Sequence, residues 1–262
     1  MRGSVRSPDR WIPVRRSRAC TMPAGTKSLD ILPETPRSPA YDPGCRRCPR
    51  LASFLDEVQD AHPGYFCAPV PPFGPSDARL VIVGLAPGMH GANASGRPFT
   101  GDYAGILLYS TLHAFGYASK PQSVRRGDGL RLLDCRITNA VKCLPPANKP
   151  TPIEIRACND YLAADLATVP DGGAIIALGR IGHDATLLAL RERAAKFAHG
   201  AVHRLGRGIA LFDSYHCSRY NTNTRRLTPA MFTAVFDSVS RHLDAHAGSG
   251  MPRERPVAEP PR

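Results

Sequence analysis

Arg79-Leu-Val-Ile-Val-Gly84-Leu-Ala-Pro-Gly-Met-His-Gly-Ala-Asn93 opens with an unbroken apolar, β-branched run that stops at a glycine. Short β-rich runs of this kind, alternating with helical stretches, are the signal for βαβ units around a parallel sheet. Three further β-rich runs read as strands: 136–141 (RITNAV), 174–178 (AIIAL) and 209–215 (IALFDSY). Helical patterns fit 49–61, 105–115, 152–168, 179–191 and 229–242, and Thr151 followed by Pro152 is a helix start, a threonine cap with proline at the first position. Alternating strands and helices predict an α/β fold, a three-layer αβα sandwich around a central four-stranded parallel sheet.

Ligands in such sheets bind outside the carboxyl ends of the strands. Three of the four strands run there into unusual sequence: 84–93, Asn139-Ala-Val-Lys-Cys-Leu-Pro-Pro146, and His216-Cys-Ser-Arg-Tyr-Asn221. All three loops are expected on one edge. The first holds Gly84, Gly88, Gly91 and Gly96, which either bring backbone amides close to a ligand or form an ordinary tight turn. No Gly-Lys-Ser/Thr follows and no GxGxxG is present, which disfavours nucleoside triphosphate and NAD chemistry.

Outward from this core, the 262 residues carry 34 Lys+Arg against 22 Asp+Glu, a formal charge of +12, with 42% hydrophobic residues. The length and apolar content support one sizeable folded domain, and no apolar run of about 20 residues reads as a membrane span. The basic balance suits a phosphate-rich partner without requiring one. Residues 1–40, rich in Arg, Ser and Pro, read as a disordered basic tail, in which Met22 offers an alternative start. Residues 41–247 form the domain, and 248–262 read as a disordered Pro-rich tail. The first twenty residues lack the apolar core of a secretory signal, so the expected location is the cytoplasm and the expected state a monomer.

Eight cysteines without a secretory signal point to metal ligands or buried thiols rather than disulfides. Cys45 and Cys48 form a CxxC before the first helix, while Cys143 stands at the end of the second strand and is separated from Cys158 by 14 residues. Four thiolates suffice for a [4Fe–4S] cluster or a zinc ion, and their spacing does not separate these. Cys20, Cys67, Cys135 and Cys217 read as structural thiols. His216 ends a strand amid polar residues, where a histidine is either functional or a buried structural group. Asn139 offers an amide that could bond a planar ligand's donor and acceptor edges, and Phe99 is an aromatic that could stack on a ring or plug the core.

Together, Gly84-Leu-Ala-Pro-Gly-Met-His-Gly-Ala-Asn93, Gly96-Arg-Pro-Phe-Thr-Gly-Asp102, Asn139 through Pro152, and His216 through Pro229 resemble the uracil-DNA glycosylase superfamily, most closely its family 5, from about Cys45 to Phe236. The resemblance implies a four-stranded parallel sheet, a [4Fe–4S] cluster on Cys45, Cys48, Cys143 and Cys158, and excision of a deaminated base from DNA. It leaves uracil, hypoxanthine and etheno adducts, and single or double strands, unseparated. By motif position, Asn139 would read the flipped base, Phe99 would stack on it, and His216 would bond its O2 side and stabilise the departing anion. Asn93 would stand beside the sugar and the attacking water. Ala86 and His90 fall within the substrate-facing first motif, and Ser218, Arg219 and Asn221 suit phosphate contacts and a wedge into the duplex.

Two residues depart from the wider superfamily pattern. Better-known members carry Asp or Asn directly after the position of Leu85, to activate water, and here that residue is Ala86, as in family 5. Cys217 stands where proline usually follows the histidine. The residue set thus favours stabilising the leaving base over activating water. Two other classes fit parts of the sequence: a Cys₄ zinc-dependent nucleic-acid hydrolase, which lacks the carboxylates such chemistry needs, and a non-enzymatic DNA-binding module, which leaves the three loops unexplained.

Overall fold

The computed structural model describes residues 41–247. Both proposed tails, with Met22 and Cys20, lie outside the described residues. Four parallel strands stand where the apolar runs predict them: β1 (Leu80–Gly84), β2 (Cys135–Asn139), β3 (Ala174–Leu178) and β5 (Ala210–Ser214). A fifth, β4 (Val202–Arg204), pairs antiparallel with β5 at the sheet edge, giving the order β2-β1-β3-β5-β4. The central sheet is therefore five-stranded. Three residues, two of them exposed, cannot show an apolar period, and this edge strand left no trace in the hydrophobic pattern.

β1, β3 and β5 each contribute to two cores because successive side chains point to opposite faces. Leu80, Ile82, Ile176 and Phe212 pack with Leu108 and Leu112 of α3 (Tyr103–Ala114) and Phe232, Phe236 and Val239 of α7 (Pro229–Ala245). Val81, Val83, Ile175, Ala177 and Leu211 face Leu162 and Leu166 of α4 (Pro152–Ala167) and Ala185 and Leu187 of α5 (Arg180–Ala189). This is the three-layer sandwich. The α4 start is a full capping box: Thr151 accepts from the Glu154 amide, and Glu154 accepts from the Thr151 amide at 2.7 Å. Arg50 of α1 (Pro49–Ala61) binds Glu154 bidentately at 2.8 and 2.7 Å, holding α1 against that corner.

Buried charge fixes two further joints. Lys142, just beyond β2, ends 2.7 Å from Asp165 of α4 and also donates to Thr138. At the opposite edge the two oxygens of buried Asp213 on β5 meet His183 Nδ1 at 2.7 Å and His203 Nε2 at 2.9 Å, while the Ala198 amide also donates to Asp213. His183 Nε2 bonds the Ala195 carbonyl at 3.0 Å. With its partners thus supplied inside the protein, this group ties β4 and α5 to β5. Among the described residues no helix is long and apolar enough to cross a membrane.

Candidate active site

β1 and β2 end in register, Gly84 opposite Asn139, and β5 ends two residues before His216. A cleft of about 420 Å³ opens at these three ends, lined by Ala86, Phe99, Asp102, Asn139, His216, Ser218 and Arg219 among others. The three loops meet on one edge, as their sequence implied.

Phe99 is held in place from several sides. Its φ of +55° is an unusual backbone state for an aromatic. Buried Arg97 beside it donates to Thr100 at 3.0 Å and forks onto Asp128 at 3.0 and 2.7 Å. Tyr109 donates to the Pro98 carbonyl at 2.7 Å, and Gly105 has no side chain where a Cβ would fall 1.9 Å from the Phe99 carbonyl oxygen. So clamped, the Phe99 ring stacks on His216 with centroids 5.9 Å apart and planes 28° from parallel.

Asn139 is buried, and its Oδ1 has no protein partner among the described residues. An unpaired buried acceptor is costly unless a ligand supplies the donor. Burial pushes the His216 imidazole down to about 4, so near neutral pH it is uncharged and carries one N–H. The Asn221 side chain donates to the His216 carbonyl at 2.8 Å, and the Ser218 hydroxyl accepts from the Asn221 amide at the start of α6 (Arg219–Asn223). Arg219 lies over the Tyr103 ring, 5.0 Å from its centroid.

Of the residues singled out from sequence, Ala86, Phe99, Asn139, His216, Ser218 and Arg219 come together in this cleft. Asn93, His90 and Asn221 lie outside its lining. Asn93 sits fully buried in α2 (Ala92–Ser95), its Nδ2 3.4 Å from Cys67 Sγ and its Oδ1 without a partner among the described residues. Exposed His90 pairs with the Tyr65 hydroxyl at 2.9 Å, and Asn221 acts on His216 from behind.

Asp102 was the residue missed. It lines the cleft, and a Cβ at Gly88 or Gly91 would fall 2.4 or 1.9 Å from its Oδ1. Those glycines make room for a carboxylate of the chain itself, and the Ala92 amide donates to that carboxylate at 3.0 Å. Gly88 also lines the cleft. Spacing that fits a neighbouring side chain and spacing that fits a ligand look alike in sequence.

A second cavity, behind the first, is lined by Cys45, Cys48, Cys143 and Cys158 together with Leu51, Val141 and Tyr161. Cys48 caps α1, Cys143 follows β2, and Cys158 lies on α4. Burial first, then the neighbouring thiols, raises Cys48 and pushes Cys143 up to about 12. Four thiols that would repel one another as thiolates suit a shared metal centre, whose positive charge reverses that penalty. Ala86 packs against this group while also lining the cleft, so the two sites share a wall. Cys135 and Cys217 are buried free thiols, and Cys67 is free and partly buried.

The profile of the Uracil DNA glycosylase superfamily matches residues 71–240. The type-5 uracil-DNA glycosylase of Thermus thermophilus is 48% identical over 204 residues, covering 75% of this chain and 93% of that protein. The chain belongs to the type-5 uracil-DNA glycosylase family. Its relatives under that name include a Mycobacterium tuberculosis protein, 44% identical over 73% of this chain and 75% of its own length, and one from Pyrobaculum aerophilum, 42% identical over 78% and 89%. The matched region of this family member contains β1, β2, β3 and β5 and every cleft residue named above.

Proposed function

We propose that this chain is a DNA repair glycosylase that receives uracil flipped out of DNA into the cleft and hydrolyses its N-glycosidic bond, leaving an abasic site. The observation that carries the proposal is the buried Asn139 amide, with an unsatisfied Oδ1, beside a clamped aromatic ring and a neutral imidazole. Uracil presents an N–H between two carbonyls. Asn139 Oδ1 accepts from that N–H, and its Nδ2 donates to the neighbouring carbonyl. Phe99 stacks on the ring, and the extrusion of the base is offset by these contacts.

Cleavage leaves both bonding electrons on the base. Uncharged His216 donates its N–H to the O2 where negative charge develops, as a preorganised donor. Asn221 fixes the segment that aims this ring. Ser218 and Arg219, at the cleft mouth, bind phosphates flanking the flipped nucleotide.

The tetrathiol cavity supports a [4Fe–4S] cluster on Cys45, Cys48, Cys143 and Cys158. Its contribution is structural, a metal-bound cross-link joining α1, the loop after β2 and α4 behind the Ala86 wall. The test of function is alkali-revealed cleavage of oligonucleotides carrying one uracil, hypoxanthine or etheno base, single- and double-stranded. Cleavage at uracil is expected, and intact uracil oligonucleotides in every context overturn the proposal.

A further inference from the structure

Ala86 gives the cleft no acid or base where other members of the superfamily carry one, yet hydrolysis still needs an acceptor for a water proton. Among the residues lining the cleft, one carboxylate is present, Asp102. Its Oδ2 is held by the Ala92 amide at 3.0 Å, and its Oδ1 is enclosed by Gly88 and Gly91. Asp102 and His216 line the same cleft. Burial holds its carboxyl above the ordinary carboxylate range, with the Ala92 amide opposing. Geometry alone makes Asp102 a cleft residue, because the first loop folds around it.

We propose that Asp102 is the second charged partner of the reaction: it stabilises the positive charge on the sugar and accepts the proton of the attacking water. This rests on the uracil-excision reading and deepens it. The C1′–N1 bond breaks with its electron pair going to the base, the water oxygen bonds C1′, and one water proton passes to Asp102. That proton then leaves to solvent or the base anion, so the products are the free base and the C1′ hydroxyl of an abasic site. Leaving-group stabilisation by His216 and charge stabilisation by Asp102 act on opposite sides of the breaking bond.

Asp102 must be ionised to act, so excision should fall as pH drops through its raised pKa. The other titratable or charged groups around it are His216 and Cys217 at the β5 exit, Arg219 on α6 and adjacent Tyr103. The experiment is single-turnover excision of a uracil oligonucleotide from about pH 7 to about pH 4, with affinity for abasic DNA and the thermal melt as controls. Asp102→Asn keeps an acceptor for the Ala92 amide but removes the charge. It should retain DNA affinity and lose about 10–100-fold in rate, and the acid limb should vanish from its profile. Asp102→Glu should keep the limb at a reduced rate. An Asp102→Asn enzyme within about twofold of wild type, or one that is slow with the acid limb unchanged, overturns the proposal. If Asp102→Asn fails to fold, the rate per folded protein decides: one that does not fall towards about pH 4 in wild type, or whose fall has the same midpoint in Asp102→Glu, overturns the proposal, and a fall whose midpoint shifts in Asp102→Glu supports it. A wild type that excises uracil at no pH contradicts the function itself, not the role of Asp102.

Discussion

A Cβ placed on Gly84 would fall 2.3 Å from the Oδ1 of Asn139 and 2.8 Å from the Phe99 ring. The last residue of β1 is therefore bare so that the base-reading amide and the stacking ring can share the space above it. Gly84→Ala pushes both aside while leaving the sheet pairing intact. Excision should drop at least about 10²-fold, with a stability loss of about 1–3 kcal/mol typical of overpacking. A variant of near wild-type rate would show that Asn139 and Phe99 tolerate displacement.

Replacing any one of Cys45, Cys48, Cys143 or Cys158 with Ser should lower iron content and the melting temperature, the latter by more than about 5 °C. Protein purified without oxygen should be brown, and chelation of its iron should reproduce the loss in melting temperature. Full iron content in all four variants would contradict the assignment.

Arg219→Ala should weaken DNA binding and flatten its salt dependence by about one phosphate contact, with single-turnover excision at saturating enzyme largely retained. An unchanged salt slope would remove Arg219 from the DNA interface.

His216 also links stability to pH. Burial holds its pKa near 4 against 6.5 unperturbed, so the unfolded chain binds this proton more readily than the folded one. Its contribution to stability is whole above the unfolded pKa and is lost as pH falls from there towards the folded value. His216→Asn should flatten the fall in melting temperature across that window relative to wild type. An identical slope would mean that the histidine titrates as in the unfolded chain.

Much of this was legible in the sequence. β3 and α1 occupy the expected residues, because a run of Ala-Ile-Ile-Ala-Leu and a Pro-started helix leave little latitude at their ends. Asn139 and His216 were recognisable because each lies in or just beyond a strand exit, and Phe99 because it is an aromatic in a glycine-bounded loop. Short elements escaped: β4 with three residues, α2 with four and α6 with five are shorter than the periods that reveal them. Asp102 escaped for another reason. A Gly-Asp pair before a helix reads as turn and cap chemistry, and only the packed loop brings that carboxylate against Gly88 and Gly91.

The central claim is that rate acceleration comes mainly from holding the departing base anion, with water addition the easier step. The measurement that tests it most directly is single-turnover excision of uracil by His216→Ala and Ala86→Asp side by side, normalised to folded protein. His216→Ala should slow excision on the order of 10²–10³-fold, as for loss of one preorganised donor, and Ala86→Asp should change it far less. If Ala86→Asp speeds excision manyfold while His216→Ala stays near wild type, water activation limits the reaction and this account of the cleft is contradicted.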